Sequence, residues 1–80
     1  MGWTVNAPTV SLWVIYENLG DYPGKWVVRR WNISAGQVLA EIVPVAVVSS
    51  YWAARQALPL GLVHIQRHPS DDPCLKEVWL

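Results

Sequence analysis

The sequence predicts an α+β domain: a mostly antiparallel sheet of four or five strands, in the element order β-β-β-α-β-β, with one helix packed on one face. Three observations predict it. Runs rich in Val, Ile, Trp and Tyr recur along the chain, and such side chains suit a pleated, half-buried surface better than a helix. Turn-forming clusters separate those runs, among them Asp21-Tyr22-Pro23-Gly24, Ser34-Ala35-Gly36-Gln37 and Asp71-Asp72-Pro73. The clearest helical signal is a single segment that follows Ser49-Ser50.

Residues 1–9 read as an irregular N-terminal segment ending in Ala7-Pro8. Leu12-Trp13-Val14-Ile15-Tyr16 is the first strand. A loop follows through Gly24, with Pro23-Gly24 as its strongest turn signal. Residues 25–33 form the second strand, and residues 34–37 the next turn. Residues 38–43 fit strand or helix by pattern alone. Pro44 interrupts them, and Val45-Ala46-Val47-Val48 reads as a strand with Pro44 at its start or on a sheet edge.

Ser49-Ser50 offers an N-cap for a helix over residues 51–58, which Pro59 and Gly61 end. Tyr51, Ala54, Ala57 and Leu58 share one helical face, which should lie on the sheet. Val63 and Ile65 alternate with His64 and Gln66, the mark of a half-buried strand. A polar loop spans 68–73, and a last strand spans 75–80. One helix covers one face of such a sheet. The other face must be solvated, covered by the termini, or offered to a partner.

Composition bounds the function. Eighty residues make one domain, spanning 1–80. A domain of this size hides only about 60–65% of its unfolded surface, which leaves little room for a deep, dry active site. Charged residues are 15% of the chain, against a usual ~25%. The formal net charge of +0 argues against direct contact with nucleic acid, which needs a clustered basic excess. The lone Cys74 cannot form an internal disulfide, which suits a reducing compartment. The N-terminus lacks a signal-peptide pattern. The longest apolar stretch, 38–48, is too short to cross a bilayer. The expectation is therefore a cytoplasmic protein without a membrane partner. Six Trp and three Tyr with no Phe favour amphipathic aromatics, which are enriched at protein interfaces.

No catalytic or metal signature stands out, so a non-enzyme without metal or cofactor is expected. His64, His68 and Cys74 lack a complete ligand set at recognised spacing. Residues four apart in a strand stand about 13 Å from one another, too far for one ion. Cys74 has no local signature of an orienting base or oxyanion hole, and it reads as a small, partly buried thiol. Arg29 and Arg30 should point to opposite faces of their strand. Each is either a locally paired surface arginine or, for Arg30, a contact to an acidic partner. Asp71-Asp72-Pro73 is a turn by its side-chain chemistry. Its functional alternative is a short acidic lip, with Glu77, that engages basic groups on a partner. Tyr22 and Trp79 are candidate aromatic anchors. The expected partner-binding set is thus Tyr22, Arg30, Asp71, Asp72, Glu77 and Trp79.

Several segments carry a resemblance: Trp13-Val14-Ile15-Tyr16, residues 21–31 from Asp21-Tyr22-Pro23-Gly24 to Trp31, Ala54-Arg55, residues 58–63, Arg67, Asp71-Asp72-Pro73 and Glu77-Val78-Trp79. In their order the chain resembles small proteins encoded by bacteriophages and mobile elements of proteobacteria. In general character it resembles anti-CRISPR proteins. The resemblance implies an inhibitor that binds the type I Cascade surveillance complex and blocks target DNA recognition, with Cas proteins as partners. Many such inhibitors are acidic whereas this chain is neutral, which implies a local acidic lip with aromatic anchors instead of broad charge mimicry. The alternative is a small accessory interaction module, a homodimer or a subunit of a larger phage or bacterial assembly.

Overall fold

The computed structural model describes residues 10–66 and 71–80. The expected irregular segment 1–9, His68, and half of the predicted 68–73 loop lie outside the described residues. Among the described residues six strands form one antiparallel sheet: β1 (Val10–Glu17), β2 (Trp26–Ser34), β3 (Gln37–Ala40), β4 (Ala46–Val48), β5 (His64–Ile65) and β6 (Leu75–Trp79). The one helix among the described residues, α1 (Tyr51–Gln56), lies between β4 and β5. The strand order is β3-β2-β1-β6-β5, with β4 also paired to β2. The α+β class, the antiparallel sheet and the single helix are as the sequence predicts.

The predicted third-strand region divides in two. Residues 37–40 pair with the end of β2, from Trp31 to Ser34. Residues 46–48 pair with its beginning, from Trp26 to Val28. Pro44 cannot donate to a ladder, and the chain bulges out between the two segments. Arg29 Nη1 holds the bulge by donating to the carbonyl of Glu41 at 3.0 Å. The ambiguity over residues 38–43 therefore resolves to a strand that stops at Ala40.

Local chemistry explains the turns. Ala35 and Gly36 have φ of 49° and 81°. Two successive residues with positive φ are what a two-residue hairpin between β2 and β3 demands. Asn18, at φ 60°, begins the β1–β2 loop, and its Oδ1 accepts from the Gly24 amide at 2.8 Å. Asn tolerates this left-handed backbone better than most residues. At α1, Ser50 Oγ accepts from the Ala53 amide at 3.1 Å, the N-cap the sequence predicts. A six-residue helix is not stable alone; its packing on the sheet holds it.

Register fixes two faces. On the helix side, fully buried Ile15, Val28 and Ala54 form a core, with Trp13, Trp26, Ala57 and Leu58 packed around it. On the other side, Val14, Tyr16 and Val27 form a second core. Leu19 and Tyr22 from the β1–β2 loop, with Trp31 and Val78, pack against it. Each fully buried aliphatic side chain contributes about 1.5–3 kcal/mol. Both faces of β1 and β2 therefore carry an apolar core, and α1 packs on one of them.

Candidate protein-binding surface

The helix-side face carries a row of arginines and tryptophans. Trp13 pairs with Arg30 across β1–β2 and with Trp79 across β1–β6. Because cross-strand partners share a face, the three side chains stand side by side. The Arg30 guanidinium lies 5.5 Å from the Trp13 ring centre. On the far side of the row, the Arg55 guanidinium from α1 lies 4.4 Å from the Trp79 ring centre. His64 packs against the same indole at 4.9 Å. Both arginine contacts fall within the range of cation–π attraction.

Hydrogen bonds hold Trp79 and Arg55 in place. Tyr51 Oη donates to Glu77 Oε2 at 2.5 Å and accepts from Arg55 Nη1 at 3.0 Å. Trp79 Nε1 donates to Glu77 Oε1 at 2.9 Å. Glu77 thus uses one oxygen for the helix and the other for its own strand. The hydrogen bond that Arg55 donates to Tyr51 outweighs the opposing effect of desolvation and raises the Arg55 pKa further above its already high ordinary value, so Arg55 stays charged.

Arg30 sits in a second network. Its Nε and Nη2 donate to Ser11 Oγ at 3.2 and 3.0 Å. Ser11 Oγ donates to Asn32 Oδ1, Asn32 Nδ2 donates to Glu41 Oε2, and Arg30 Nη1 lies 3.8 Å from that oxygen. This is the local pairing that was one of its two expected roles. Arg29 does point to the opposite face, toward the β3–β4 bulge.

The six expected contact residues do not form one patch. Arg30, Glu77 and Trp79 share the helix-side face. Tyr22 packs on the opposite side, against the Val14–Tyr16–Val27 core. Asp71 and Asp72 precede β6. Asp72 Oδ1 accepts from the Cys74 amide at 2.8 Å, and its carbonyl accepts from the Leu75 amide, which is the turn chemistry expected of Asp before Pro. Sequence reasoning missed Trp13 and Arg55 as members of the row. The i,i+4 spacing of Tyr51 and Arg55 was the available signal; the Trp13–Trp79 pairing had none.

Cys74 is half-buried, and its Sγ donates to the Asn18 carbonyl at 3.5 Å. Burial first, then Asp72, pushes the thiol pKa up. A raised pKa lowers the thiolate fraction on which nucleophilic attack depends. Among the described residues no group of three or more His, Cys, Asp or Glu could hold a metal ion, and no helix is long and apolar enough to cross a membrane.

Two hollows open on the surface. One, of about 210 Å³, lies between the end of α1 and Trp79, with Arg55, Leu58, Leu60 and Leu62 in its wall. The other, of about 370 Å³, lies between the β1–β2 loop and Cys74. No family model, curated protein or solved structure matches the chain.

Proposed function

We propose that this protein acts by binding another protein, as an inhibitor of a bacterial defence complex. The observation that carries the reading is the arginine–tryptophan row centred on Trp79. Trp, Tyr and Arg are the residues that dominate binding energy at protein interfaces. Here their side chains are already held by Tyr51 and Glu77, so less side-chain freedom is lost on association. The particular partner, a type I Cascade complex whose DNA recognition is blocked, rests on the sequence resemblance.

The test is binding to purified type I Cascade, with target DNA capture as the second readout. The full chain is expected to bind and to reduce DNA capture. Arg55→Glu, shown by circular dichroism to be folded, is expected to lose both. A folded wild-type chain that neither binds Cascade nor reduces DNA capture would remove the Cascade reading.

Self-association is the second reading, and a specific observation favours it. Val10, Val38, Val47 and Ile65 are exposed, and the strand register places all four on the helix-free face. Exposed apolar side chains gathered on one face are a common mark of an interface. Sedimentation of the purified chain across a concentration series separates the two: a dimer with no effect on Cascade supports the accessory module.

A further inference from the structure

The 210 Å³ hollow beside Trp79 has a composition that selects its occupant. Its wall is aliphatic, from Leu58, Pro59, Leu60 and Leu62, and Arg55 is the charged group in its lining. Gly61 turns the wall at φ 83°. Leu60 projects at the rim, 99% exposed, so its contribution to the fold is small. Small-molecule sites usually enclose about 300–1,000 Å³. This smaller space suits one branched side chain with an adjoining polar group.

The charged side chain in the lining is Arg55, and Glu77, whose charge attracts it, stands outside the lining. The nearby carboxylate, Glu77, has both oxygens engaged, by Tyr51 and by the Trp79 indole. Among the described residues, the acceptor that Arg55 meets is the Tyr51 hydroxyl, and Arg55 stands outside the ion pairs Arg30–Glu41 and Lys76–Glu17. A guanidinium carries five N–H donors, and stacking on an indole leaves its edge for a planar acceptor. Charge-assisted pairing with a carboxylate is the strongest use of that edge.

We propose that this hollow receives an aliphatic-acidic segment of a partner protein, with the aliphatic side chain against Leu58, Leu60 and Leu62 and the carboxylate on Arg55. The proposal rests on the reading of the protein as a binding module and names the chemistry of its partner. It reverses the sign of the acidic lip expected from the sequence, which was to meet a basic partner, and agrees with the acidic partner that was one of the two expected roles of Arg30. A lysine or arginine at this mouth would face Arg55 and be repelled.

The test is an NMR titration of the isotope-labelled full chain at low salt. The probe is a capped hexapeptide of glycine, leucine, aspartate, leucine, glutamate and glycine. Its control carries asparagine and glutamine at the acidic positions. The acidic peptide is expected to shift the Trp79 indole and the Leu60 and Leu62 amides, saturating in the millimolar range. The control should bind about tenfold more weakly, the difference expected for one charge-assisted contact. Arg55→Gln should bring the acidic peptide down to the control. If Arg55→Gln does not fold, Leu60→Ala replaces it and should weaken both peptides severalfold.

Equal affinity for the two peptides, or no shift at these residues, overturns the proposal. So does saturation of the same signals by oligothymidylate, which would assign the row to nucleic acid. Shifts of these signals with protein concentration alone would assign the hollow to a second copy and overturn it too. Because no Cascade is present, failure of the Cascade reading leaves this result standing, and the reverse holds.

Discussion

Arg55, on the helix, lies with its guanidinium 4.4 Å from the centre of the Trp79 indole on the last strand, and both side chains connect to Glu77, one directly and one through Tyr51. The helix is thereby joined to β6 by a polar link on top of the apolar core formed by Ile15, Val28 and Ala54. Placement of a charge against an aromatic face, held there by Tyr51, distinguishes this corner from a solvated surface arginine.

The link should behave as one unit. Tyr51→Phe removes the hydroxyl that donates to Glu77 and should cost about 1 kcal/mol, or roughly 4–8 °C in melting temperature for a domain of this size. Glu77→Gln should cost a similar amount. The double variant should cost less than the two losses together, because contacting residues in one network are not additive. A thermal-melt double-mutant cycle measures this; strict additivity would mean the hydrogen bond contributes nothing.

Asp72 tests the acidic lip against the turn. The Asp72→Asn variant keeps a side-chain oxygen for the Cys74 amide, whereas Asp72→Ala removes it. The turn role predicts a loss of about 0.5–1.5 kcal/mol in Asp72→Ala and little change in Asp72→Asn. Partner affinity should be unaltered in Asp72→Asn. A large affinity loss in that variant would restore the lip.

Ala35 occupies a left-handed backbone position at φ 49°. Asn-Gly is the favoured pair for such a hairpin. Ala35→Asn should therefore stabilise the protein by about 0.5–1 kcal/mol, raising the melting temperature by a few degrees. No rise on differential scanning calorimetry would show that the hairpin relaxes the strain in another way.

Tyr16 sets an alkaline limit. Its hydroxyl accepts from Trp31 Nε1 at 3.1 Å. Burial, the largest cause, raises its pKa above 10.0, with the Trp31 bond opposing. Above the unfolded pKa the unfolded chain loses this proton while the folded chain keeps it. Stability should therefore be constant below about pH 9 and fall as pH rises through 10 and beyond. Denaturant melts at pH 8 to 11 check this, and Tyr16→Phe should flatten the decline.

Much of the fold was legible because its signals are local. Pro23-Gly24, Ala35-Gly36 and Ser50 each act within a few residues, and each marks an element end in the structure. Pro44 was legible as a break, but the pairing of both flanking segments with one strand depends on the length of β2 and its two-ended register. The surface was harder to read. Glu77 and Trp79 stood out as unusual residues, whereas their neighbours Trp13 and Arg55 come from distant parts of the chain. Tyr22 carried an interface signal yet packs inward, since an aromatic beside a turn serves a small core equally well.

The pairing of β1 with β6 sets a schedule for synthesis. Trp13 and Trp79 meet at the centre of the sheet although they stand 66 positions apart. Contacts at that separation form late and slow the folding of small domains. On the ribosome, β2 and its hairpin can close on one edge of β1 while the other edge waits for Leu75–Trp79 to emerge. During that interval the nascent chain offers an open strand edge beside half-covered Val14 and Ile15, so premature arrest of translation before β6 would leave a fragment primed to aggregate or to recruit chaperones.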